Sequence, residues 1–352
     1  MQLEFRLIED DNLWDEYVLK LPIYSFLNSS ARHRYNESVG AKSFRYAIFN
    51  KEQYLGIVLL SVGFSKIFGH FLECKHSPIL LNSRVEYWEE ILSFCRKVGK
   101  ENNCFLVRFA PLYRENEELK NFYSKNSLIK APIHNVDALI SQQIDLRKDL
   151  EELRRDMNKT KRNLLNRLLK DENALVKVFT DDSQFEIFED FHNQTTKLKG
   201  YRDKPVRLLL AELREQISKG MCYMLIGYYN SKPIGIWQCT VYGKHMHLYQ
   251  AGTDTKFRDK NINISYLLFW EALKLGKELG CEVLDLFGGV VPMQYEGKKH
   301  PWKGVNDFKQ SLGGQKVTYM HSRDYPLNKL KYYIYYIYSW LITTVKGYTI
   351  KW

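Results

Sequence analysis

The chain has 352 residues, 45% hydrophobic and 26% charged, enough for two domains with full cores; this composition excludes a disordered tail or a disulfide-stapled miniature. Its 52 Lys and Arg against 41 Asp and Glu leave a formal charge of +11, which favours polyanionic partners such as nucleic acid, phosphorylated precursors or an anionic membrane face. The six cysteines form no CxxC pair, so neither a zinc site nor a disulfide framework is expected and a reducing compartment fits. The first residues, MQLEFRLIED, carry acids where a signal peptide is apolar, and a cytoplasmic protein is expected.

Along the chain a unit recurs. Residues 44–58, FRYAIFNKEQYLGIV, read as a strand, an Asn-led polar turn and a second strand entered through Gly56; residues 222–237, CYMLIGYYNSKPIGIW, repeat this through Gly235. Trp88 opens WEEILSFCRKVGKENNCFLVRF and Trp270 opens WEALKLGKELGCEVLDLF, each an amphipathic helix followed by a Cys-initiated apolar strand. The step from Gly56 to Gly235 nearly equals the step from Trp88 to Trp270. Two matched segments in the same order at nearly the same offset predict a tandem duplication. The first copy is expected from Glu4 to about Ile144. Between the copies, residues 149–171, DLEELRRDMNKTKRNLLNRLLKD, predict a strongly basic helix, either a solvated connector or an electrostatic contact for a phosphate-bearing ligand.

In the second copy periodicity predicts strand 175–180, helices 185–196 and 206–219, and strands 222–229, 233–242 and 245–251. Helix 264–279, strand 282–287, a short helix 305–311 and strand 316–320 follow. That order, β-α-α-β-β-β-α-β-α-β, resembles the GNAT acyltransferase fold. The resemblance implies an α/β class, α+β with mixed sheets, in two tandem GNAT-like acyltransferase domains: 1–147 completed by 321–352, and 148–320. In GNAT enzymes the turn before the helix that follows the fourth strand is Gly-rich so that backbone N–H groups reach the coenzyme A pyrophosphate. Here it reads RDKNIN over residues 258–263, with Asn261 and Asn263 at the small-residue positions, which weighs against simple acetyl-CoA chemistry.

Residues 305–317, VNDFKQSLGGQKV, carry the most specific pattern. Together with 248–253, LYQAGT, with 265–271, SYLLFWE, with 285–289, DLFGG, and with 25–40, SFLNSSARHRYNESVG, this sequence resembles the Fem-type (FemABX) aminoacyltransferases. These build the interpeptide bridge of peptidoglycan from aminoacyl-tRNA. The resemblance implies that the amino group of an acceptor peptide attacks the ester carbonyl of aminoacyl-tRNA, with no metal or covalent cofactor and with the charged tRNA as co-substrate. The implied partners are aminoacyl-tRNA and a UDP-linked or lipid-linked muropeptide.

The same resemblance implies the site residues. Lys309, after Phe308, matches a lysine near the reacting carbonyl, where an ammonium stabilises the oxyanion; the other reading is a surface lysine on a short helix, and Phe308 reads as core or stacking wall. Tyr249 and Tyr266 fall where the family lines its precursor groove, and core tyrosines are the alternative. Arg202 and Arg207 lie where a precursor-binding arginine is expected, guanidinium geometry suiting a diphosphate. The first-domain helix has Asn36 in place of a precursor-contacting lysine, so that contact is either lost or moved to Arg32 or Arg34. The strand-end motif Arg-x-Asp-Pro reads Arg108, Phe109, Ala110 and Pro111, and Ala110 supplies no base. Asp285 is available as a base but reads as a turn-ordering acid at the end of a buried strand.

His245 and His247 share one strand face, with no third metal ligand at a telling distance. In the tail, LKYYIYYIYSWLITTVK over residues 330–346, 14 uncharged residues separate Lys331 from Lys346. A bilayer span needs about 20, so the tail is expected either to pack back on the first domain or to make a peripheral contact with the inner face of the membrane, as its Tyr and Trp content suits. Two other functions keep the same sequence features: an acyl-CoA-dependent N-acyltransferase acting on a sugar or surface-polymer precursor, and a non-catalytic muropeptide- or tRNA-binding module, for which the missing acid at Ala110 is the best argument.

Overall fold

The computed structural model describes residues 2–82, 84–114, 116–132, 139–199, 204–254, 256–257, 262–288 and 303–346. In chain order the elements are β1 (Leu3–Leu7), α1 (Asp11–Leu19), α2 (Ser30–Ser38), β2 (Ser43–Asn50), β3 (Gln53–Ser65), β4 (Gly69–Lys75), β5 (Ile79–Leu80), α3 (Trp88–Glu101), β6 (Leu106–Ala110), α4 (Glu117–Lys125) and β7 (Ile129–Lys130). Then come β8 (Ile140–Asp145), α5 (Leu150–Asp156), α6 (Lys159–Leu168), β9 (Ala174–Phe179), α7 (Phe185–Lys199), α8 (Val206–Ser218), β10 (Cys222–Tyr229), β11 (Lys232–Tyr242) and β12 (His245–Thr253). Last are α9 (Ser265–Glu278), β13 (Val283–Asp285), α10 (Lys303–Ser311), β14 (Gln315–Thr318), β15 (Arg323–Pro326) and α11 (Lys329–Lys346).

The chain divides into two compact units. Among the described residues, one takes 2–140 and 318–346, the other 141–288 and 303–317. The first sheet runs β1-β2-β3-β4-β6-β15-β7 with β5 beside β3, and the second runs β14-β8-β13-β12-β11-β10-β9. Both are mixed, with β4 parallel to β6 and β12 parallel to β13. Strand β8, which ends the segment read as the first copy, lies in the second sheet.

Each unit buries a helix on its sheet. In α3 the buried Trp88, Ile91, Leu92, Cys95 and Val98 follow helical spacing, one apolar stripe against the sheet. In α9 the run Ser265–Trp270 is buried together with Ala272, Leu273 and Gly276, so this helix is enclosed on almost every side.

The duplication is visible in the hairpins. In β2–β3, Ile48 faces Gly56 and Phe49 faces Tyr54, leaving Leu55 as an extra residue; in β10–β11, Gly227 faces Gly235 and Tyr228 faces Pro233, leaving Ile234. The two bulges occupy the same place in their hairpins, and each drives an apolar side chain into a core. The glycines that follow are required by close approach: a Cβ at Gly56 would lie 2.1 Å from the Ile79 carbonyl oxygen, and one at Gly235 2.6 Å from the Ile264 side chain. The tryptophan match differs from expectation. Trp88 is the first residue of α3, whereas Trp270 is the sixth of α9. The equivalent landmarks are Cys104 and Cys281, each placed just before its strand, β6 in one copy and β13 in the other. The expected basic helix over 149–171 is two helices: α5 opens on a capping box between Asp149 and Glu152, the chain is extended at Met157, and the Asn158 side chain caps α6.

The tail returns to the first unit. Asp324 of β15 lies opposite Arg108 of β6, and the buried pair is bidentate, Nε to Oδ1 at 2.7 Å and Nη2 to Oδ2 at 2.8 Å. Arg108 also donates to the Tyr335 hydroxyl of α11 at 2.9 Å. Tyr332 and Tyr335 are buried with Phe68, Phe105 and Leu106. No helix among the described residues is long and apolar enough to cross a membrane.

All six cysteines are free and buried. Burial pushes the Cys104 and Cys281 thiols up to about 11 and the Cys222 thiol up to about 12. A thiol-reactive dye at pH 7.5 is therefore expected to label no cysteine of the native protein and all six after denaturation. Asp324→Asn, which strands the buried Arg108 charge, is expected to cost about 3–5 kcal/mol in urea unfolding.

Candidate active site

The second sheet parts at one place. Strands β11 and β12 stay paired, but the register shifts so that Gln238 faces Gln250 and Cys239 faces Leu248, which leaves Tyr249 as an extra residue in β12. A bulge of this kind bends its strand and re-aims a side chain. On the other side β12 pairs with β13 only from His245 to His247. Past Asp285 the chain keeps to β8, the Leu286 N–H donating to the Gln142 carbonyl at 2.9 Å, while β12 runs on to Thr253. A wedge opens between them. In the first unit the equivalent strands pair from Leu72 with Val107 to Lys75 with Ala110, where both end.

The chain that borders the wedge is held from two directions. Asp285 Oδ1 accepts from the Ser141 hydroxyl and from the Phe287 N–H, the latter at 2.8 Å, and Oδ2 accepts from Gln143 Nε2 at 2.9 Å. Phe287 has a φ of 41°, a left-handed value that is costly for a bulky side chain, and Gly288 follows at 88°. This geometry presents two successive carbonyls to one cation: Lys309 Nζ donates to Phe287 O at 2.5 Å and to Gly288 O at 3.0 Å. Lys309 lies in the last turn of α10 and is half-buried.

Phe308 points into the core, its ring 6.3 Å from Trp237 and 5.5 Å from Tyr266. Tyr266 is buried at the second position of α9, with Lys161 Nζ of the basic segment 5.9 Å from its ring centre. The Tyr249 ring stands 5.8 Å from Phe287, and its hydroxyl donates to Glu212 Oε2 at 3.2 Å. Lys204 Nζ is 2.7 Å from the same carboxylate oxygen. Phe308 and Tyr266 thus pack together, and Lys309 and Tyr249 both touch Phe287.

The remaining expected residues are placed elsewhere. Arg207 is exposed at the second position of α8, and Arg202, like Arg258 and Asn261, lies outside the described residues. In the first unit α2 carries three. The Arg32 guanidinium is 5.0 Å from the Tyr35 ring centre, Arg34 pairs with Asp11, and the buried Asn36 donates to the Ser43 hydroxyl at 3.3 Å. His247 packs against Phe287, and no group of three or more metal-ligating side chains occurs among the described residues.

Glu212 is the residue that sequence reading passed over. On α8 the buried positions are Leu209, Glu212, Leu213 and Gln216, so two polar side chains sit in an apolar stripe. That misplacement was the available signal. Gln216 Oε1 accepts from Gln238 Nε2 at 3.0 Å and from the Thr240 hydroxyl at 2.9 Å, which ties α8 to β11 behind the bulge.

Two mixed sheets, each with a bulged antiparallel hairpin, one parallel strand pair and a helix packed on it, make a tandem GNAT-like scaffold, and among the described residues the second copy alone carries the parted strands and the cation on two carbonyls. Residues 154–304 match the family described as Acetyltransferase (GNAT) domain. Among solved structures the chain is similar to FemX, with a TM-score of 0.80 and 12% identity over 96% of this chain and 100% of that one. A tandem GNAT protein from the clavulanic acid biosynthesis pathway gives 0.57 and 11% over 93% and 99%. L-PGS from Bacillus licheniformis gives 0.51 and 13% over 80% and 85%. No curated protein matches the chain. The chain has the Fem-type tandem GNAT-like fold.

Because both oxygens of Asp285 are engaged in holding the turn, Asp285→Asn, which puts an amide donor against donors, is expected to lower stability by about 1–3 kcal/mol in urea unfolding.

Proposed function

We propose that the protein is an aminoacyltransferase that moves an amino acid from aminoacyl-tRNA to the peptide stem of a UDP-linked or lipid-linked peptidoglycan precursor. The observation that carries this reading is the Lys309 ammonium, fixed by the Phe287 and Gly288 carbonyls at the mouth of the wedge. The neutral acceptor amine attacks the ester carbonyl, a C–N bond forms, and the carbonyl oxygen becomes an oxyanion. The C–O bond to the ribose then breaks, the amine proton is lost, and the ribose oxygen leaves with a proton. An N–H of Lys309 turned to the oxyanion stabilises the tetrahedral intermediate. Tyr249, anchored on Glu212, presents a phenol to the acceptor. Arg202, Arg207 and one of Arg32 and Arg34 stay assigned to the precursor by resemblance, while the buried Asn36 is taken up by Ser43.

The likeness in fold to FemX supports the reading. So does the charge of +11, since both substrates are polyanions. The match to an acetyltransferase domain favours a second reading, N-acyl transfer from acyl-CoA to a sugar or surface-polymer precursor.

Incubation with a mixture of charged tRNAs and UDP-MurNAc-pentapeptide is expected to raise the mass of the pentapeptide by one amino-acid residue, and Lys309→Met to lower the rate by about 10²–10³. Product from acetyl-CoA on a sugar precursor, with none from charged tRNA, selects the second reading. Near-normal turnover by Lys309→Met removes the assigned role of the lysine.

A further inference from the structure

Helix α11 is apolar on both faces, although the first unit covers only one. Tyr332 and Tyr335 go inward, to Phe68 and Phe105. At helical spacing on the other side stand Leu330, Tyr333, Ile334, Ile337, Trp340 and Leu341, each 50–76% exposed. No charged residue interrupts this stripe between Lys331 and Lys346. A soluble helix with a single buried face has polar residues outward, and an apolar face of this extent marks an interaction surface.

Its surroundings select the occupant. From Tyr325 to Lys346 the sequence has three lysines, Lys329, Lys331 and Lys346, and no Asp or Glu. The end of β3 and the turn into β4, which supplies Phe68 beneath Tyr335 and Tyr338, expose Phe64 and Ile67 on either side of Lys66. A Cβ at Gly69 in that turn would lie 3.4 Å from Lys331 Nζ, so the start of the helix and the turn are neighbours. Aromatic and aliphatic side chains bordered by lysines match the headgroup and upper acyl region of an anionic bilayer. The uncharged stretch Tyr332–Val345 is about 21 Å long as a helix, too short to span the roughly 30 Å of hydrocarbon.

We propose that the outward face of α11, with the β3–β4 turn beside it, docks the protein in the plane of an anionic lipid surface. The inference stands apart from the aminoacyltransferase reading, since it uses no residue of the wedge. It holds even if the substrate proves different.

Flotation of the full chain with vesicles tests it. Binding to vesicles of phosphatidylcholine with about 30% phosphatidylglycerol is expected to exceed binding to phosphatidylcholine alone by at least about tenfold at low salt. Ile337→Glu with Trp340→Glu is expected to abolish flotation, and Lys66→Glu with Lys329→Glu to weaken it at least about tenfold. All four side chains are exposed, so thermal unfolding of both variants should match the parent. Equal partition to neutral and anionic vesicles, or flotation unchanged in the Ile337/Trp340 variant, overturns the proposal. So does sedimentation of the parent as a dimer that the same variant converts to monomer, because the face would then belong to a second copy.

Discussion

One cation on two adjacent carbonyls holds the chain that leaves β13 in the second unit. For Lys309 to reach Phe287 O and Gly288 O together, the chain after β13 must take left-handed angles at both residues, and for Phe287 that conformation is unfavourable by itself. Asp285 offsets the cost from the N–H side by binding the Phe287 amide, and Ser141 and Gln143 of β8 hold Asp285 in turn. The chain thereby follows β8 and leaves β12, and the wedge results. Tyr249, bulged out of β12, faces Phe287 across it. The turn and the wedge thus share one set of contacts, and the Tyr249 bulge, set separately by the β11–β12 register, meets them at Phe287.

Much of this was legible in the sequence. The hairpins were readable because alternation and polar turn residues are local signals; the turn at Asn230 and Ser231 takes positive φ at both positions, as the Asn-led pattern requires. The helices of the second copy were readable from apolar spacing; Lys309 and Tyr249 were singled out by resemblance in ordered segments, and their roles belong to the proposal. The offset between copies was readable at Gly56 and Gly235 but not at Trp88 and Trp270. Large aromatic residues attract a match by their rarity, while the packing places one at a helix start and the other in the middle of a helix.

What escaped depends on partners far apart in sequence. Arg108 finds its carboxylate in Asp324, 216 residues on, while the local motif offers only Ala110. The break at Met157 has neither Pro nor Gly to announce it, and helix propensity on both sides reads straight through. Glu212 looks like a surface acid until α8 is laid on the sheet and its side chain falls between Leu209 and Leu213. Tertiary structure decides these three cases, and in two of them a buried charge has found an opposite charge, as burial demands.

The central claim is that substrate enters where β12 and β13 part. Amide hydrogen exchange with and without UDP-MurNAc-pentapeptide tests it most directly. The account predicts slowed exchange in 248–253 and 286–288 and none in β10, on the far side of β11. Binding of the pentapeptide with those amides unchanged would contradict it.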